Sequence, residues 1–196
     1  AGHLFSLPMS VYKKKKKILI TKNIYEQIIS DYKITSSYQQ TNYYLMHPIL
    51  SKLKYTLRIR QKNNQYELTL KQPQIKGNLE TNLIIDKKTK DKIIKHELIT
   101  NEIFDLLKPY QLDSTMFITD HFLTTTRNEI NTEYGLICID YNQYNDLEDY
   151  ELEYEITNYT LGKQYFLDFI KKYNLTYNTN CSSKITRLIK SLNNNK

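Results

Sequence analysis

Alternating apolar and polar residues predict a chain built largely of β-strands. The clearest case is 150–157, where Glu151, Glu153 and Glu155 fall on one face and apolar side chains on the other. The Asn63-Asn64 dipeptide lies between two such runs and predicts a hairpin turn. Strands are predicted at 18–20, 40–45, 55–62, 65–72, 79–85, 116–128, 134–141 and 149–157.

Apolar residues at helical spacing separate these strands. Thr21 and Ser182 are suitable N-cap residues, and Pro109 would end the longest helix. Residues 1–8 are expected to be an expression remnant or a disordered leader, and 9–196 to form a single domain. Helices are predicted over 22–31, 90–108, 163–173 and 183–192.

Several strands combine an apolar face with a charged face. Arg58 and Arg60 alternate with apolar residues, as do Lys71 on the next strand and Arg127 with Glu129 later. Glutamates that share one strand face, as at 151, 153 and 155, repel each other unless cationic side chains lie close to them. The strand that contains Arg58 and Arg60 is one candidate for this cationic partner. Such a sheet usually turns its polar face to water, but it can also close into a barrel with a charged interior that holds an oligoanion and a metal ion.

Composition narrows the class of partner. The net charge of +7 favours anionic ligands, without choosing between nucleic acid, a membrane surface and small phosphates. No apolar run reaches the length of a membrane span. Cys138 and Cys181 show no metal-ligand spacing, so a reducing cytoplasm is expected. The sequence contains no Gly-rich phosphate loop, which argues against P-loop chemistry.

Short motifs follow one another in a fixed order over residues 13–192. They are L-R-I-R at 57–60, L-T-L-K-Q-P at 68–73, L-E-T at 79–81, T-T-R-N-E at 125–129, I-D at 139–140 followed by Tyr144, D-Y-E-L-E at 149–153 and S-K-I-T-R at 183–187. In this order and spacing the chain resembles the CYTH superfamily, the triphosphate tunnel metalloenzymes, and specifically the small stand-alone CYTH proteins of Firmicutes.

The resemblance implies an α+β fold, an eight-stranded antiparallel β-barrel with helices packed outside. In that family basic side chains grip a triphosphate inside the barrel, and carboxylates hold a divalent ion, Mg²⁺ or Mn²⁺. The implied catalytic residues are Lys17, Arg58 and Arg60. The implied substrate-binding residues are Lys71, Arg127, Lys184 and Arg187. The implied metal ligands are Asp140, Glu151 and Glu153, with Glu80, Glu129 and Glu155 as supporting carboxylates.

The first strand departs from the family pattern. Its defining signature, Glu-x-Glu-x-Lys, aligns with five consecutive lysines, so Lys13 and Lys15 stand where both glutamates belong and only Lys17 matches. Strand alternation would place the side chains of Lys13, Lys15 and Lys17 close to other cationic side chains. Each contact between like charges at ~4 Å costs about 4 kcal/mol at an effective dielectric of ~20. The strand could fray, the lysines could lose protons, or a bound polyanion could balance them. A solvated basic leader is the simpler alternative.

Three functions are compatible with these features. The first is metal-dependent hydrolysis of inorganic triphosphate or a nucleoside triphosphate, with water attacking the terminal phosphorus. The second is a catalytically impaired protein that binds triphosphate, polyphosphate or a nucleotide, because Lys13 and Lys15 replace the signature glutamates. The third, nucleic-acid binding, ranks last because it leaves the three adjacent glutamates unexplained. The family also contains adenylate cyclases, but no residue here selects that activity.

Overall fold

The computed structural model describes residues 7–194, so most of the predicted leader at 1–8 lies outside the described residues. The strands are β1 (Met9–Lys13), β2 (Lys15–Ile20), β3 (Ser36–Met46), β4 (Thr56–Lys62), β5 (Gln65–Pro73), β6 (Asn78–Ile85), β7 (Ile118–Thr132), β8 (Gly135–Tyr144) and β9 (Leu147–Ile156). The helices are α1 (Lys22–Asp31), α2 (Pro48–Leu53), α3 (Lys87–Ile94), α4 (Glu102–Leu107), α5 (Tyr159–Lys171) and α6 (Lys184–Asn193).

The described chain divides into two compact units. The first unit comprises residues 7–12 and 40–122, and the second comprises 13–39 and 123–194. In the first unit the strand order is β1-β6-β5-β4-β3, and in the second it is β7-β8-β9-β2. The registered pairs of both units are antiparallel. These sheets and their helices confirm the predicted α+β class, and the prediction that 9–196 is one domain stays a prediction.

The core of the first unit lies between the apolar face of its sheet and the helices α3 and α4. Leu57, Ile59 and Leu68 of the sheet are fully buried, and Ile93 and Phe104 pack in the same cluster from the helices. Each fully buried aliphatic side chain contributes roughly 1.5–3 kcal/mol relative to exposure. The alternation that predicted the strands therefore also fixes which face of the sheet the helices cover.

The second unit uses the same arrangement with helices α1 and α5. Leu152 and Tyr154 of β9 are fully buried against Phe166 of α5 and Ile28 of α1. The rings of Tyr154 and Phe166 stack with centroids 5.6 Å apart, which adds roughly 0.5–1.5 kcal/mol to the burial. With its apolar residues so engaged, β9 presents its glutamates on the opposite face.

The hairpin between β4 and β5 forms as the turn dipeptide predicted. Asn63 and Asn64 have φ values of 50° and 61°, the left-handed pair that a two-residue hairpin loop requires. Asparagine tolerates this conformation better than most residues. The turn sets the register that places Arg58 opposite Thr69.

The predicted helix over 90–108 is wrong in its continuity. The structure has α3 and α4 instead, because His96 adopts a left-handed φ of 64° and Asn101 caps a new helix by accepting from the N–H groups of Ile103 and Phe104. Ser183, rather than Ser182, caps α6. The described residues form nine strands rather than eight, because β1 precedes the predicted first strand. Among residues 7–194, no helix is both long enough and apolar enough to cross a bilayer.

Candidate functional site

The polar face of the second unit is assembled from β2, β7, β8 and β9. In the strand register Arg127 lies opposite Asp140, which lies opposite Glu151. In a neighbouring row Glu153 lies opposite Lys17. Directly opposite residues on one face of an antiparallel pair have Cβ atoms about 4.5–5.5 Å apart. The register therefore brings carboxylates and cations from distant parts of the chain together.

Asp140, Glu151 and Glu153 form a buried cluster that we call the carboxylate trio. Their exposed fractions are 0%, 0% and 4%, and one oxygen atom of each lies within 4.8 Å of the others. Three ionised carboxylates in so small a space repel one another and lose their hydration. The structure thus brings the three predicted metal ligands together in a cluster that requires cations among its oxygen atoms.

Lys184, the first residue of α6, places its ammonium group in the carboxylate trio. Its Nζ atom lies 2.9 Å from Oδ2 of Asp140 and 3.0 Å from Oε1 of Glu153, and it also donates a hydrogen bond to Glu151. Burial lowers the pKa of Lys184, but the three carboxylates outweigh burial and hold that pKa above its usual value. The ammonium therefore stays charged at neutral pH.

Arg127 binds the same cluster from the opposite side of β8. Its Nε and Nη2 atoms donate to the two carboxylate oxygens of Asp140, both at 2.8 Å, and Nη2 also donates to Glu153 at 3.2 Å. This two-pronged geometry is the strongest form of an arginine–carboxylate pair. Burial raises the pKa of Asp140, but the positive charges of Arg127 and Lys184 outweigh burial, and the pKa lies below its ordinary value. The carboxylate therefore remains ionised.

Arg187 of α6 reaches a carboxylate to which the sequence analysis gave no role. Its Nε atom donates to Oδ2 of Asp149 at 2.8 Å, and its Nη1 atom donates to Glu151 at 3.4 Å. Asp149 also accepts hydrogen bonds from Asn142 and from the hydroxyl of Tyr144, at 2.9 and 2.6 Å. Asp149 lies two residues before Glu151 on the same strand face, and that alternation was a signal that could have identified it.

The lysine run forms part of a strand that pairs with β9. In the register Lys15 lies opposite Glu155 and Lys17 opposite Glu153. The Nζ atoms of Lys15 and Lys17 are 3.9 and 4.0 Å from Glu153, and that of Lys13 is 3.9 Å from Glu155. The structure differs from the expectation that these lysines would meet mainly cations. Glu153 and Glu155 of β9 offset these lysines, which add to the cations that Lys184 and Arg127 already supply to Glu153.

The even-numbered lysines of the run, Lys14 just before β2 and Lys16 within it, lie over aromatic rings. The Nζ atom of Lys14 lies 4.2 Å from the ring centroid of Tyr159, and that of Lys16 lies 4.5 Å from the ring of Tyr177. A cation over an aromatic ring gains roughly 0.5–1 kcal/mol at an exposed site. Five consecutive lysines can therefore form ordered backbone because alternate members have different kinds of partner.

Glu153 is the most shared carboxylate of the trio. Burial raises its pKa, but the surrounding positive charge outweighs burial, and the pKa lies well below its ordinary value. The cations responsible are, in order of effect, Lys184, Lys15, Arg127 and Lys17. Glu153 is therefore ionised and largely neutralised by side chains of the protein itself.

The carboxylate trio also has the donor chemistry of a divalent metal site. Mg²⁺ and Mn²⁺ prefer carboxylate oxygens, and oxygens within 4.8 Å of one another can be ligands of one ion. The residues therefore fit such an ion in donor type and spacing. Because the same three carboxylates bind Nζ of Lys184, an ion at their centre and this ammonium exclude each other.

The first unit has a polar face of its own, which holds the other predicted basic residues. Arg58 and Arg60 lie on one face of β4, and Lys71 lies on the same face of the sheet through the β4–β5 register. Arg60 donates from Nε to Oδ1 of Asn42 at 2.9 Å. Arg58 is only 6% exposed. The structure thus brings three predicted phosphate-binding residues to one face.

The three predicted supporting carboxylates have other partners. Glu80 lies 3.6 Å from Nζ of Lys71 in the first unit. Glu155 lies near Lys13. Glu129 is hydrogen-bonded to Tyr38, whose pKa is raised first by burial and then by this bond. Their proposed role beside the metal ligands stays a prediction.

Two buried residues of the first unit were missed altogether. Gln40 and Asn42 of β3 are 3% and 0% exposed, although polar side chains are seldom so buried. In the sequence they look like ordinary polar positions of a strand, and no spacing marks them. Only the packed structure shows that they share a face with the arginines.

Known sequences identify the family to which this site and fold belong. A sequence model of the CYTH domain matches residues 16–188. The chain belongs to the CYTH family. This CYTH protein is 31% identical over 163 residues to the "putative triphosphatase YjbK" of Bacillus subtilis, an alignment that covers 81% of this chain and 85% of the relative. The predicted family is therefore confirmed.

Solved structures agree. A crystal structure described as a "putative adenylate cyclase" from Bacillus halodurans matches this CYTH protein with a TM-score of 0.82 at 28% identity, covering 91% of this chain and 97% of the other. HpAC1 from Hippeastrum, described as a "putative adenylyl cyclase" with a dominant triphosphatase activity, matches with a TM-score of 0.75 at 19% identity, covering 91% and 95%. The second likeness shows the fold alone. Together they confirm the predicted fold class.

Proposed function

We propose that this CYTH protein hydrolyses the terminal phosphoanhydride bond of inorganic triphosphate or a nucleoside triphosphate with the help of Mg²⁺ or Mn²⁺. The observation that carries the proposal is the carboxylate trio, in which three buried carboxylates offer oxygens within 4.8 Å of one another. Carboxylate oxygens at this spacing are the donors that Mg²⁺ and Mn²⁺ prefer. The triphosphatase name of the Bacillus subtilis relative supports the same class of reaction.

The basic residues of each unit have distinct roles in this proposal. Arg58 and Arg60 of the first unit bind phosphate oxygens through their guanidinium forks and stabilise charge in the transition state. Lysines act as point charges on phosphate oxygens, and Lys71 is the proposed lysine ligand of the first unit. In the second unit the proposed ligands are Lys17, Lys184, Arg127 and Arg187. A bound divalent ion would supply charge neutralisation at the phosphate oxygens and the leaving group.

A second candidate function has its own support. The protein would bind triphosphate, polyphosphate or a nucleotide without hydrolysing it. Lys13 and Lys15 replace the acidic residues of the family signature, and Lys184 already lies among the oxygens of the trio. A divalent ion would have to displace this ammonium in the presence of the lysines around Glu153. These contacts favour weak metal binding.

The test is phosphate release from inorganic triphosphate in the presence of Mg²⁺, Mn²⁺ or EDTA. The unmodified protein is compared with Lys13→Glu/Lys15→Glu, which restores the signature acids. The matched control is Lys14→Glu/Lys16→Glu, which makes the same change of charge on the opposite face of β2. Metal-dependent release by the unmodified protein, abolished in Glu153→Gln, is the expected result.

Other outcomes separate the candidates. Release by Lys13→Glu/Lys15→Glu alone, with neither the unmodified protein nor the control active, would replace hydrolysis by the binding function. Isothermal titration with inorganic triphosphate, polyphosphate and ATP then identifies the ligand. A protein that neither binds nor hydrolyses any of them would contradict both candidates.

A further inference from the structure

Three buried nitrogen donors of the first unit have no hydrogen-bond acceptor among the described residues. They are Nε2 of Gln40, Nδ2 of Asn42 and Nε of Arg58. Buried polar groups of native proteins are nearly always hydrogen-bonded, since an unpaired one loses its hydration without compensation. Three such donors in one region therefore require an explanation in terms of what binds there.

The three donors belong to one face of neighbouring strands. In the register of β3 and β4, Asn42 lies opposite Arg60 and Tyr44 lies opposite Arg58. Residues two apart on a strand point to the same side, so Gln40 and Asn42 share a face with both arginines. Asn42 is the diagonal neighbour of Arg58 in this pair, at about 7–8 Å, and Gln40 lies two residues further from Arg58 along β3, about 6–7 Å more. The three donors therefore form a row along one face, which matches an extended anion with several phosphate groups.

The orientation of the Asn42 amide is fixed by its neighbour. Its Oδ1 atom accepts the Nε–H of Arg60 at 2.9 Å, and rotating the amide would place two donors against each other. The unpaired end is therefore the NH₂ group. At Asn42 and Arg58 the unpaired atoms are thus N–H groups, and their missing partner is an acceptor.

The charge of the face indicates which acceptor fits. Arg58 and Arg60 lie beside the two amides, and Lys71 is on the same face of the sheet. An oxyanion with several oxygens satisfies amide and guanidinium donors together. We propose that Gln40 and Asn42 are phosphate-binding residues, which donate uncharged hydrogen bonds to phosphate oxygens of the same oligophosphate that Arg58 binds. The inference rests on the proposed triphosphate ligand and adds two residues to it.

Uncharged donors have a signature that basic residues lack. Removing a lysine or arginine weakens anion binding and also reduces its dependence on salt, because charge attraction is screened. Removing an amide donor weakens binding but leaves the salt dependence unchanged. A merely structural role for Gln40 or Asn42 would instead lower the stability of the free protein.

The experiment is isothermal titration of the full chain with inorganic triphosphate in EDTA, at two salt concentrations. The variants are Gln40→Met, which removes the donor at similar length, and Asn42→Asp, which keeps the acceptor for Arg60. The matched control is Gln65→Met, an exposed position of the same unit. We expect Gln40→Met to weaken binding about 10-fold or more, from the strength of hydrogen bonds to charged groups, and Asn42→Asp to weaken it further.

The outcomes are distinct. Weaker binding in both variants, with an unchanged salt slope in the uncharged Gln40→Met and unfolding midpoints equal to or above that of the unmodified protein, supports the proposal. Unchanged affinity in both variants, while the unmodified protein binds triphosphate, overturns the proposal and means that water satisfies these donors. If the unmodified protein does not bind triphosphate, the proposed function fails and this inference fails with it. Lys71→Met serves as the reference for a reduced salt slope.

Discussion

The polar faces of the two units contain similar residue types in opposite states of pairing. In the second unit the buried arginine, Arg127, meets Asp140 with two hydrogen bonds of 2.8 Å. In the first unit the buried arginine, Arg58, has an Nε atom without any acceptor, as do the amides of Gln40 and Asn42. One face is neutralised by the protein itself. The other offers hydrogen-bond donors that only an added acceptor can satisfy.

The difference predicts that charged groups of the second unit contribute more to the stability of the free protein than the unpaired donors of the first unit do. Removing one partner of a buried ion pair costs about 3–5 kcal/mol, because the remaining charge is left without compensation. Removing an unpaired buried donor costs little and can stabilise the protein. Equivalent substitutions in the two units should therefore have opposite effects on the free energy of unfolding.

The largest effect is expected for Lys184→Met. The substitution removes the ammonium at the centre of the carboxylate trio, so in EDTA the free energy of unfolding should fall by about 5 kcal/mol, the upper end for a broken buried pair. A divalent ion can then replace the lost cation, and Mn²⁺ should raise the unfolding midpoint of the variant far more than that of the unmodified protein. Urea unfolding followed by circular dichroism measures both quantities.

The control for this prediction is Lys163→Met, an exposed lysine of α5, which should change stability by less than about 0.5 kcal/mol. Direct titration of Mn²⁺ gives a second readout that does not depend on activity. Equal Mn²⁺ affinity in Lys184→Met and the unmodified protein would show that the ammonium does not compete with the ion.

A pair of arginine substitutions tests the comparison itself. Arg127→Met leaves Asp140 with one cation fewer and should lower the free energy of unfolding by about 3 kcal/mol. Arg58→Met should change it by less than about 1 kcal/mol, while weakening triphosphate binding at least 10-fold. Chemical unfolding and isothermal titration of both variants provide the measurement. Similar losses of stability in the two variants would mean that the faces do not differ in pairing.

The sequence predicted which residues lie on the same face of a strand, but not which residues of other strands they contact. Period-two alternation is local, and it correctly placed Arg127 with Glu129 and Glu151 with Glu153 on polar faces. The pairing of Lys17 with Glu153 joins positions far apart in the chain, and its register depends on packing of the whole unit. The family resemblance supplied the candidate residues and the fold, but it misjudged the surroundings of the lysine run because the family has acids there.

Other features depended on tertiary structure for different reasons. A helix over 90–108 looked continuous because apolar residues kept their spacing through the break, which the left-handed backbone of His96 and the capping side chain of Asn101 produce. The donors of Gln40 and Asn42 could not be recognised because whether a polar group is satisfied depends on residues brought near by folding. The functional candidates that sequence reasoning misses are thus buried polar groups without a motif.

The smallest predicted effect concerns Lys16, on the outer face of β2. If charge pairing on the polar face stabilises the second unit, the outer face of the same strand should contribute much less. Lys16→Met removes only the contact of its ammonium with the ring of Tyr177 at 4.5 Å, so we expect a loss of about 0.5–1 kcal/mol. The exposed Lys22→Met is the matched control. If Lys16→Met lowers the free energy of unfolding as much as Arg127→Met does, the pairing of buried charges on the polar face is not what chiefly stabilises this unit. Both faces of the lysine strand would then contribute equally.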